Sequence, residues 1–245
     1  MPALFYFHIP TTIGTGVIDV ISQHYVEPQI LTISGDLTVP FLQACGEERL
    51  RDVGFIHGHV GPGAAAYLQG IAKPILLLRD PMDRMVSHYL DMLGDANSPW
   101  HGAATELGLR DFIETYPRFL ALQTISLATG LGHELPRDRV YDCLPDILSY
   151  LESTFLLGTV EQIDEFMAGL ATMEQWPAPV TVPHLNNAAA GEAPAREVLE
   201  DAYVAVARSA HVGAMMIAAE EAVYTAAKSI AVTQRGRMPS REPVG

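Results

Sequence analysis

Short apolar runs alternate with segments of helical periodicity along most of this chain of 245 residues. Such alternation is typical of a parallel sheet whose strands are joined by helices that cover both of its faces. The pattern therefore predicts a single α/β domain with a central parallel sheet of about five strands flanked by helices. The predicted strands are Ala3–His8, Gln29–Ile33, Gly54–His57, Pro74–Arg79 and Phe155–Thr159.

Helices are predicted where apolar residues recur three and four positions apart. The first, Gly14–Tyr25, places Val17 and Ile21 on one face. We expect Gly94–Ala103 to be a loop and the proline-rich Gln175–Pro194 to be irregular. The other predicted helices are Val39–Arg51, Gly61–Gln69, Pro81–Met92, Leu109–Glu114, Pro117–Thr129, Cys143–Ser153 and Thr159–Met173.

The alanine-rich segment Arg196–Val232 is expected to form one long helix, or two helices separated at Gly213. It has more apolar residues than one buried face requires, so it is also a candidate face for a homo-oligomer. These residues are Val204, Val206, Met215, Met216, Ile217 and Val223. Two prolines follow in the last eleven residues, which predicts a domain of residues 1–234 and a flexible tail of residues 235–245.

A formal net charge of −14 narrows the range of partners. We expect neither nucleic acid nor an anionic membrane surface to bind, because both would be repelled. A single anionic ligand is compatible with this charge if a few arginines surround it.

Two cysteines are too few for a disulfide scaffold, and no apolar run reaches the roughly 20 residues of a membrane helix. Without a signal-like first segment, the sequence predicts a cytoplasmic protein.

The first segment with candidate chemistry is His8–Gly16, which reads His-Ile-Pro-Thr-Thr-Ile-Gly-Thr-Gly directly after the apolar run Leu4–Phe7. A loop between a strand and a helix can bind phosphate, because its N–H groups and the helix N-terminus converge on one point. The hydroxyl groups of Thr11, Thr12 and Thr15 are expected to add hydrogen bonds. The alternative is an ordinary connection with a helix cap.

The second segment follows the apolar run Ile75–Leu78. It places Arg79 at the carboxyl end of a strand, where open α/β sheets bind their ligands. Asp80 and Pro81 predict a helix start, and Ser87 follows about two turns later. A guanidinium group and a hydroxyl group in this arrangement can bind a phosphate together. The alternative is a structural ion pair at the helix start, and Arg84 is expected to pair with Asp80 or with Asp83.

Together the two segments resemble PAPS-dependent sulfotransferases, which use 3′-phosphoadenosine 5′-phosphosulfate, and most closely the carbohydrate branch of that family. The family's Leu-Arg-Asp-Pro-x-x-Arg-x-x-Ser-His-Tyr motif is complete here, at Leu78, Arg79, Asp80, Pro81, Arg84, Ser87, His88 and Tyr89. Its His-Ile-Pro-Lys-Thr-Gly-Gly-Thr loop is kept at His8, Ile9, Pro10, Thr12, Gly14 and Thr15. Thr11 replaces the family's lysine, and Ile13 replaces a glycine.

Weaker similarities extend along the chain. They are Gly58-His59, Leu122-Gln123-Thr124 with Gly130, Leu157–Glu161, His184–Asn186 and Glu221–Tyr224.

Other nucleotide-binding motifs fit less well. A Walker A loop requires a lysine, and none precedes Gly70. A dinucleotide-binding turn requires three spaced glycines after the first strand, and these are missing.

The resemblance implies transfer of a sulfuryl group from the cofactor PAPS to a hydroxyl group, with release of adenosine 3′,5′-bisphosphate (PAP). It implies a P-loop-like fold and no metal. The 3′-phosphate would bind to Arg79 and Ser87. The 5′-phosphosulfate would bind to the first loop, at Thr11, Thr12, Ile13, Gly14, Thr15 and Gly16.

The reaction also needs a general base for the acceptor hydroxyl. We predict His59 for this role, with His57 as the second choice, since both come after Gly54–Ile56 and lie at the carboxyl end of the third strand. A His-x-His metal pair and ordinary hydrogen-bonded histidines remain alternatives for these two residues. The acceptor is expected to be a small or carbohydrate-like molecule, neutral or cationic because of the chain's charge, in a pocket walled by residues 94–101 and 175–187.

The threonine at position 11 affects catalysis more than binding. In the family, the lysine there neutralises the oxygen that leaves with the phosphate, and loss of one such donor costs on the order of 10²–10³ in rate. Candidate replacement cations are His8, His57, Arg84 and Lys73. The alternative function is therefore a protein that binds PAP or PAPS without catalysis.

Overall fold

The computed structural model describes residues 2–134, 139–176, 181–182, 200 and 211–237. It shows an α/β fold with a five-stranded, all-parallel central sheet flanked by helices, which confirms the predicted fold class. The strand order is β2-β3-β1-β4-β5. All five predicted strands are present, as β1 (Leu4–Phe7), β2 (Ile30–Thr32), β3 (Phe55–Gly58), β4 (Lys73–Leu78) and β5 (Leu156–Thr159).

Nine α-helices lie in the described ranges. Short 3₁₀ turns precede α6 and α8, where the sequence predicted single longer helices. The helices are α1 (Gly14–Ser22), α2 (Thr38–Asp52), α3 (Ala64–Leu68), α4 (Pro81–Gly94), α5 (His101–Thr115), α6 (Leu122–Gly130), α7 (Leu144–Ser153), α8 (Ile163–Met173) and α9 (His211–Arg237). None of these helices is long and apolar enough to cross a lipid bilayer.

One predicted loop is partly wrong. Helix α5 begins at His101, inside the segment Gly94–Ala103 that was predicted to be irregular. Gly108 interrupts α5 with a φ of 71°, so the apolar periodicity becomes regular only after it. The sequence pattern therefore revealed only the second half of this helix.

The central strand β1 is buried on both faces. Phe5 and Phe7 pack with Leu76 and Leu78 in one apolar cluster, on the side of α7 and α9. Leu4 and Tyr6 point the other way, into a second cluster that includes residues of α1 and α8. A strand covered on both faces requires an uninterrupted apolar run, and Leu4–Phe7 provides one.

The position of the site follows from the sheet topology. β1 pairs with β4, yet the chain leaves β1 toward β2 at one edge and leaves β4 toward β5 at the other. Helix α1 packs on one face of the sheet and α7 on the opposite face. This arrangement opens a crevice at the carboxyl ends of β1 and β4, which is the usual ligand position in open α/β sheets.

Helix α9 runs without a break through Gly213, so within the described residues the single-helix alternative holds. It continues to Arg237, past the predicted domain boundary at residue 234, and Arg235 hydrogen-bonds Gln162 at 2.9 Å. Met216, Ile217 and Val223 are buried against their own chain. Their apolar character is therefore accounted for without an oligomer, and Val204 and Val206 lie outside the described residues.

Candidate functional site

The two sequence segments meet at one cavity of about 500 Å³, within the size range of small-molecule sites. Residues of the loop after β1 form one wall, and Arg79 with the first turns of α4 forms the other. The residues that line it are His8, Pro10, Thr11, Ile13, Gly14, Thr15, Gly16, His59, Arg79, Ser87, His88, Asp91, Met92, Asp95 and Ser98. Most of the predicted site residues are thus brought together.

The loop backbone has the conformation of an anion-binding nest. The φ angle is positive at Thr11 (67°) and at Ile13 (55°), but not at Thr12 or Gly14. Alternating backbone conformations of this kind turn successive N–H groups toward one side. Left-handed φ values are unusual for β-branched residues, and each costs on the order of 1–3 kcal/mol. Strain of this kind is typical of ligand-binding turns.

Gly14 allows the loop to close on the imidazole of His8. A Cβ atom built on Gly14 would lie only 1.7 Å from His8 Nε2. Only glycine therefore lets the start of α1 approach this ring, which itself lines the cavity.

We expect Gly14→Ala to lower the free energy of unfolding by about 1–3 kcal/mol, because the added methyl group overpacks this contact. Chemical denaturation would measure the change. Gly102→Ala is the matched control, since a Cβ there meets no atom within 4 Å. Equal stabilities of the two variants would show that His8 moves aside freely.

Arg79 is held at its backbone by a reciprocal pair of hydrogen bonds. Its amide donates to Gln123 Oε1 at 2.8 Å, and Gln123 Nε2 donates to the Arg79 carbonyl at 3.0 Å. The guanidinium Nη1 donates to the Thr11 carbonyl at 3.3 Å, so it reaches the loop on the opposite wall. Its charge therefore lies between the two segments.

The carboxylate of Glu220 on α9 fixes Gln123 in turn. Glu220 is fully buried and accepts hydrogen bonds from Gln123 Nε2 at 3.1 Å and from Thr124 Oγ1 at 2.7 Å. Arg84 Nε lies 3.3 Å from the same carboxylate, and both side chains are fully buried. The predicted pairing of Arg84 with Asp80 or Asp83 on the helix surface is therefore wrong, since burial of Arg84 requires an anion inside the protein.

A second carboxylate supports the start of α4. Asp80 caps this helix by accepting from the amides of Met82 and Asp83, as predicted. Glu161, just after β5, accepts from the Asp80 amide at 2.8 Å and from the Tyr224 hydroxyl at 2.9 Å. Three of the weaker sequence similarities, around Gln123, Glu161 and Tyr224, thus converge on the turn that carries Arg79.

Two of the predicted catalytic histidines lie together. The rings of His8 and His59 stack with centroids 4.3 Å apart, at the carboxyl ends of β1 and β3. Burial, and to a lesser extent the neighbouring His59 and His57, lower the pKa of His8 to about 4. Burial also lowers the pKa of His59, although a hydrogen bond to the His8 backbone opposes this shift. Both rings are therefore neutral at pH 7, as a general base must be.

Two predicted residues do not reach the cavity. His57 bonds to Thr32 Oγ1 at 3.1 Å and packs beside Phe55, so its ring faces strand β2 instead. The Thr12 side chain is fully buried, and its hydroxyl donates to the Ile9 carbonyl at 2.7 Å. Its hydroxyl therefore shapes the loop rather than adding a bond in the cavity.

The structure adds cavity residues that the sequence analysis missed. His88, Asp91 and Met92 lie on the same face of α4 as Ser87, and Asp95 directly follows the helix. The signal that could have identified them is helical spacing, since Asp91 and Met92 come four residues after Ser87 and His88. The Nδ1 atom of His88 is buried without a hydrogen-bond partner among the described residues, so it offers a free polar position to a ligand.

Acidification is expected to destabilise the fold through His8 and His88, whose pKa burial lowers to about 4. Between that value and the ordinary 6.5, the unfolded chain binds protons that the folded chain does not, so stability falls as the pH falls. From pH 7 to pH 5 each histidine should contribute a loss of about 2 kcal/mol. Urea unfolding at both pH values would measure it.

His88→Gln should remove roughly half of that loss, since glutamine does not titrate. Equal stability of the unaltered protein at pH 7 and pH 5 would contradict the neutral state of these buried rings.

Three of the four candidate replacements for the missing lysine do not line the cavity. Lys73 begins β4, at the opposite edge of the sheet, and pairs with Glu174. Arg84 is paired with Glu220, and His57 faces β2. Among the described residues that line the cavity, Arg79 is therefore the one permanent cation.

The described part of the predicted acceptor walls contributes two residues to the cavity. Asp95 and Ser98 line it, but Trp100 packs against Phe119 and Tyr116, and His101 bonds to the Met92 carbonyl. Most of residues 175–187, including His184–Asn186, lie outside the described residues. The second predicted wall therefore stays a prediction.

No group of three or more metal-ligating side chains is found in the described ranges. No protein-family model matches the chain, and a search of curated proteins finds no match either. The geometry of the cavity and the motifs that form it are therefore the observations that bear on function.

Proposed function

We propose that this protein transfers a sulfuryl group from PAPS to a hydroxyl group of an acceptor and releases PAP. The observation that carries the proposal is the shared cavity: the nest-like loop and the Arg79–Ser87 pair line the same space. A ligand with two separated anionic groups matches this arrangement, and PAPS carries its phosphosulfate and its 3′-phosphate on opposite sides of one ribose.

In this assignment, the loop N–H groups and the N-terminus of α1 bind the 5′-phosphosulfate. Arg79 and Ser87 bind the 3′-phosphate, the guanidinium with two N–H donors and the hydroxyl with one more. The Gln123 hydrogen bonds hold the Arg79 backbone in place before the ligand arrives. Preorganisation of this kind lowers the entropy that binding costs.

His59 would act as the general base. It accepts the proton of the acceptor hydroxyl while that oxygen forms a bond to sulfur. The bond between sulfur and the bridging oxygen breaks, and the bridging oxygen leaves on PAP with the electron pair. The products are the sulfated acceptor and PAP, and His59 then returns the proton to solvent.

One observation favours a second candidate function, binding of PAP or PAPS without transfer. Thr11 lines the cavity where the resembled family has lysine, and His8, the remaining candidate cation, is neutral at pH 7. The leaving oxygen would then be neutralised by N–H groups alone. Binding needs only the nest and Arg79, whereas rapid transfer needs the missing cation.

Titration calorimetry with PAP, followed by an assay with radiolabelled PAPS and a panel of hydroxyl acceptors, tests both candidates. Binding together with transfer supports the first, and binding without transfer to any acceptor supports the second. No PAP binding at all would contradict both, because the shared cavity is their common basis.

The carboxylate of Asp91 opposes anion binding in the same cavity. Burial raises its pKa, and the charge of Arg79 partly offsets that shift. We expect Asp91→Asn to tighten PAP binding by about 3- to 10-fold, because a negative charge near the 3′-phosphate is removed. Asp111→Asn is the control, on the exposed surface of α5. Weaker binding by Asp91→Asn would show that this carboxylate instead holds the ligand.

The proposal places the reaction in the cytoplasm, with a small acceptor and with neither nucleic acid nor a membrane surface as partner. The free thiols of Cys45 and Cys143 are in keeping with a reducing compartment.

A further inference from the structure

A second, smaller cavity of about 310 Å³ adjoins the proposed donor site. Apart from a wall that it shares with the donor site, the second cavity is lined by one face of α6 and by residues at the ends of β1 and β3. These residues are Phe7, Val60, Ile125, Ser126 and Thr129. None of the five carries a charge, and no described residue of the two predicted acceptor walls is among them.

The two cavities share a wall made of His8, Pro10 and His59. The shared residues are the start of the nest-like loop and the stacked pair of neutral imidazoles. A molecule in the smaller cavity therefore contacts the same residues that border the proposed donor site. A hydroxyl group beside His59, where the two cavities meet, would be able to give its proton to this ring and to reach the sulfur held in the donor site.

Close packing of α6 on the sheet fixes the walls of this second cavity. Gly130 lets the Phe7 ring approach, since a Cβ on Gly130 would lie 2.5 Å from Phe7 Cζ. The Thr129 carbonyl accepts the Gly63 amide at 2.9 Å, which ties the end of α6 to the segment before α3. The wall formed by α6 is therefore fixed by helix packing.

We infer that this second cavity binds the acceptor, and that the acceptor is a compact, uncharged hydroxyl compound with a hydrocarbon or aromatic body. The inference rests on the proposed function and specifies its substrate class. Phe7, Val60 and Ile125 favour an apolar body, while Ser126 and Thr129 each provide a hydroxyl group for one polar substituent. A sulfated or otherwise anionic glycan would need permanent cations, and the described residues that line this cavity include none. A sugar would leave most of its hydroxyl groups without partners here.

Equilibrium dialysis with 2-naphthol and with glucose, each at the same concentration and with or without PAP, tests the inference. The unaltered protein should bind 2-naphthol at least 10-fold more tightly than glucose. Ile125→Trp, which fills the cavity, should weaken 2-naphthol binding at least 10-fold and leave PAP affinity within twofold. Val232→Trp is the control, because Val232 is 60% exposed on α9 and far from either cavity.

Ser126→Phe fills the cavity from another part of the same wall and replaces Ile125→Trp if that variant does not fold. The inference is overturned if glucose binds as tightly as 2-naphthol, or if neither filled variant weakens 2-naphthol binding. Failure of the unaltered protein to bind PAP would instead contradict the proposed function. The two failures are therefore distinguishable.

Discussion

Arg79→Ala is expected to lower the affinity for PAP by at least 100-fold. Arg79 is the permanent cation among the described residues that line the cavity, and its side chain is buried at the carboxyl end of β4. A charge-assisted, two-pronged hydrogen bond to phosphate is about twice as strong as a neutral one, and no second permanent cation among the described cavity residues compensates for its loss. Titration calorimetry with PAP would measure the change.

Two controls define this result. Arg110→Ala removes an arginine of α5 that is largely exposed and pairs with Glu114 on the helix surface, and it should leave PAP affinity unchanged. Adenosine 5′-monophosphate, which lacks the 3′-phosphate, should bind the unaltered protein weakly and be little affected by Arg79→Ala. Unchanged PAP affinity in Arg79→Ala would remove the basis of both candidate functions.

Thr11→Lys is expected to raise the rate of sulfuryl transfer by about 10²–10³, the value of one preorganised donor at a developing oxyanion. Thr11 lines the cavity beside the proposed phosphosulfate position, so a lysine there can reach the leaving oxygen. Its left-handed φ of 67° also disfavours a β-branched residue more than an unbranched one. The measurement is turnover of radiolabelled PAPS at saturating concentration.

Ser98→Lys is the matched control, because Ser98 lines the same cavity outside the loop. It should tighten PAP binding through its charge but raise turnover less than 10-fold. If only Thr11→Lys transfers sulfate and the unaltered protein does not, the chain is a binder by its natural sequence. If Thr11→Lys is no faster than the unaltered protein, the missing lysine is not what limits the reaction.

The strands and the position of the site could be predicted from sequence because both are encoded locally. Leu4–Phe7 and Ile75–Leu78 are uninterrupted apolar runs, and only buried parallel strands accommodate them at this length. Each run ends directly in residues with phosphate-binding chemistry. Because parallel strands end at one edge of the sheet, the prediction that both segments face a common space needed no further information.

The partners of the buried charges could not be predicted. Arg84 reads as a surface residue of α4, because its nearest acids along the chain are Asp80 and Asp83. Its partner Glu220 lies on α9, and only the packing of that helix against the segment before α6 brings the two together. The role of Gln123 could not be predicted either, because the Arg79 backbone to which it hydrogen-bonds is distant in sequence.

The placement of the histidines was predictable in part. His8 and His59 directly follow Phe7 and Gly58, the last residues of their strands. Whether the two rings face each other therefore depends on loop geometry that the apolar pattern does not encode. His57 is still within β3, so the pleat directs its ring toward Thr32 on the edge strand. The alternation of side chains along a strand therefore accounts for the direction of the His57 ring. It does not extend to His59, which lies beyond the strand end and stacks on His8.

A crystal structure of the protein with PAP would show whether one nucleotide bridges the loop after β1 and the Arg79–Ser87 pair. We expect one PAP molecule with its 5′-phosphate at the amides of Thr11–Gly16 and its 3′-phosphate within hydrogen-bond distance of Arg79 and Ser87. A nucleotide bound elsewhere, or one that touches only one of these two segments, would contradict it.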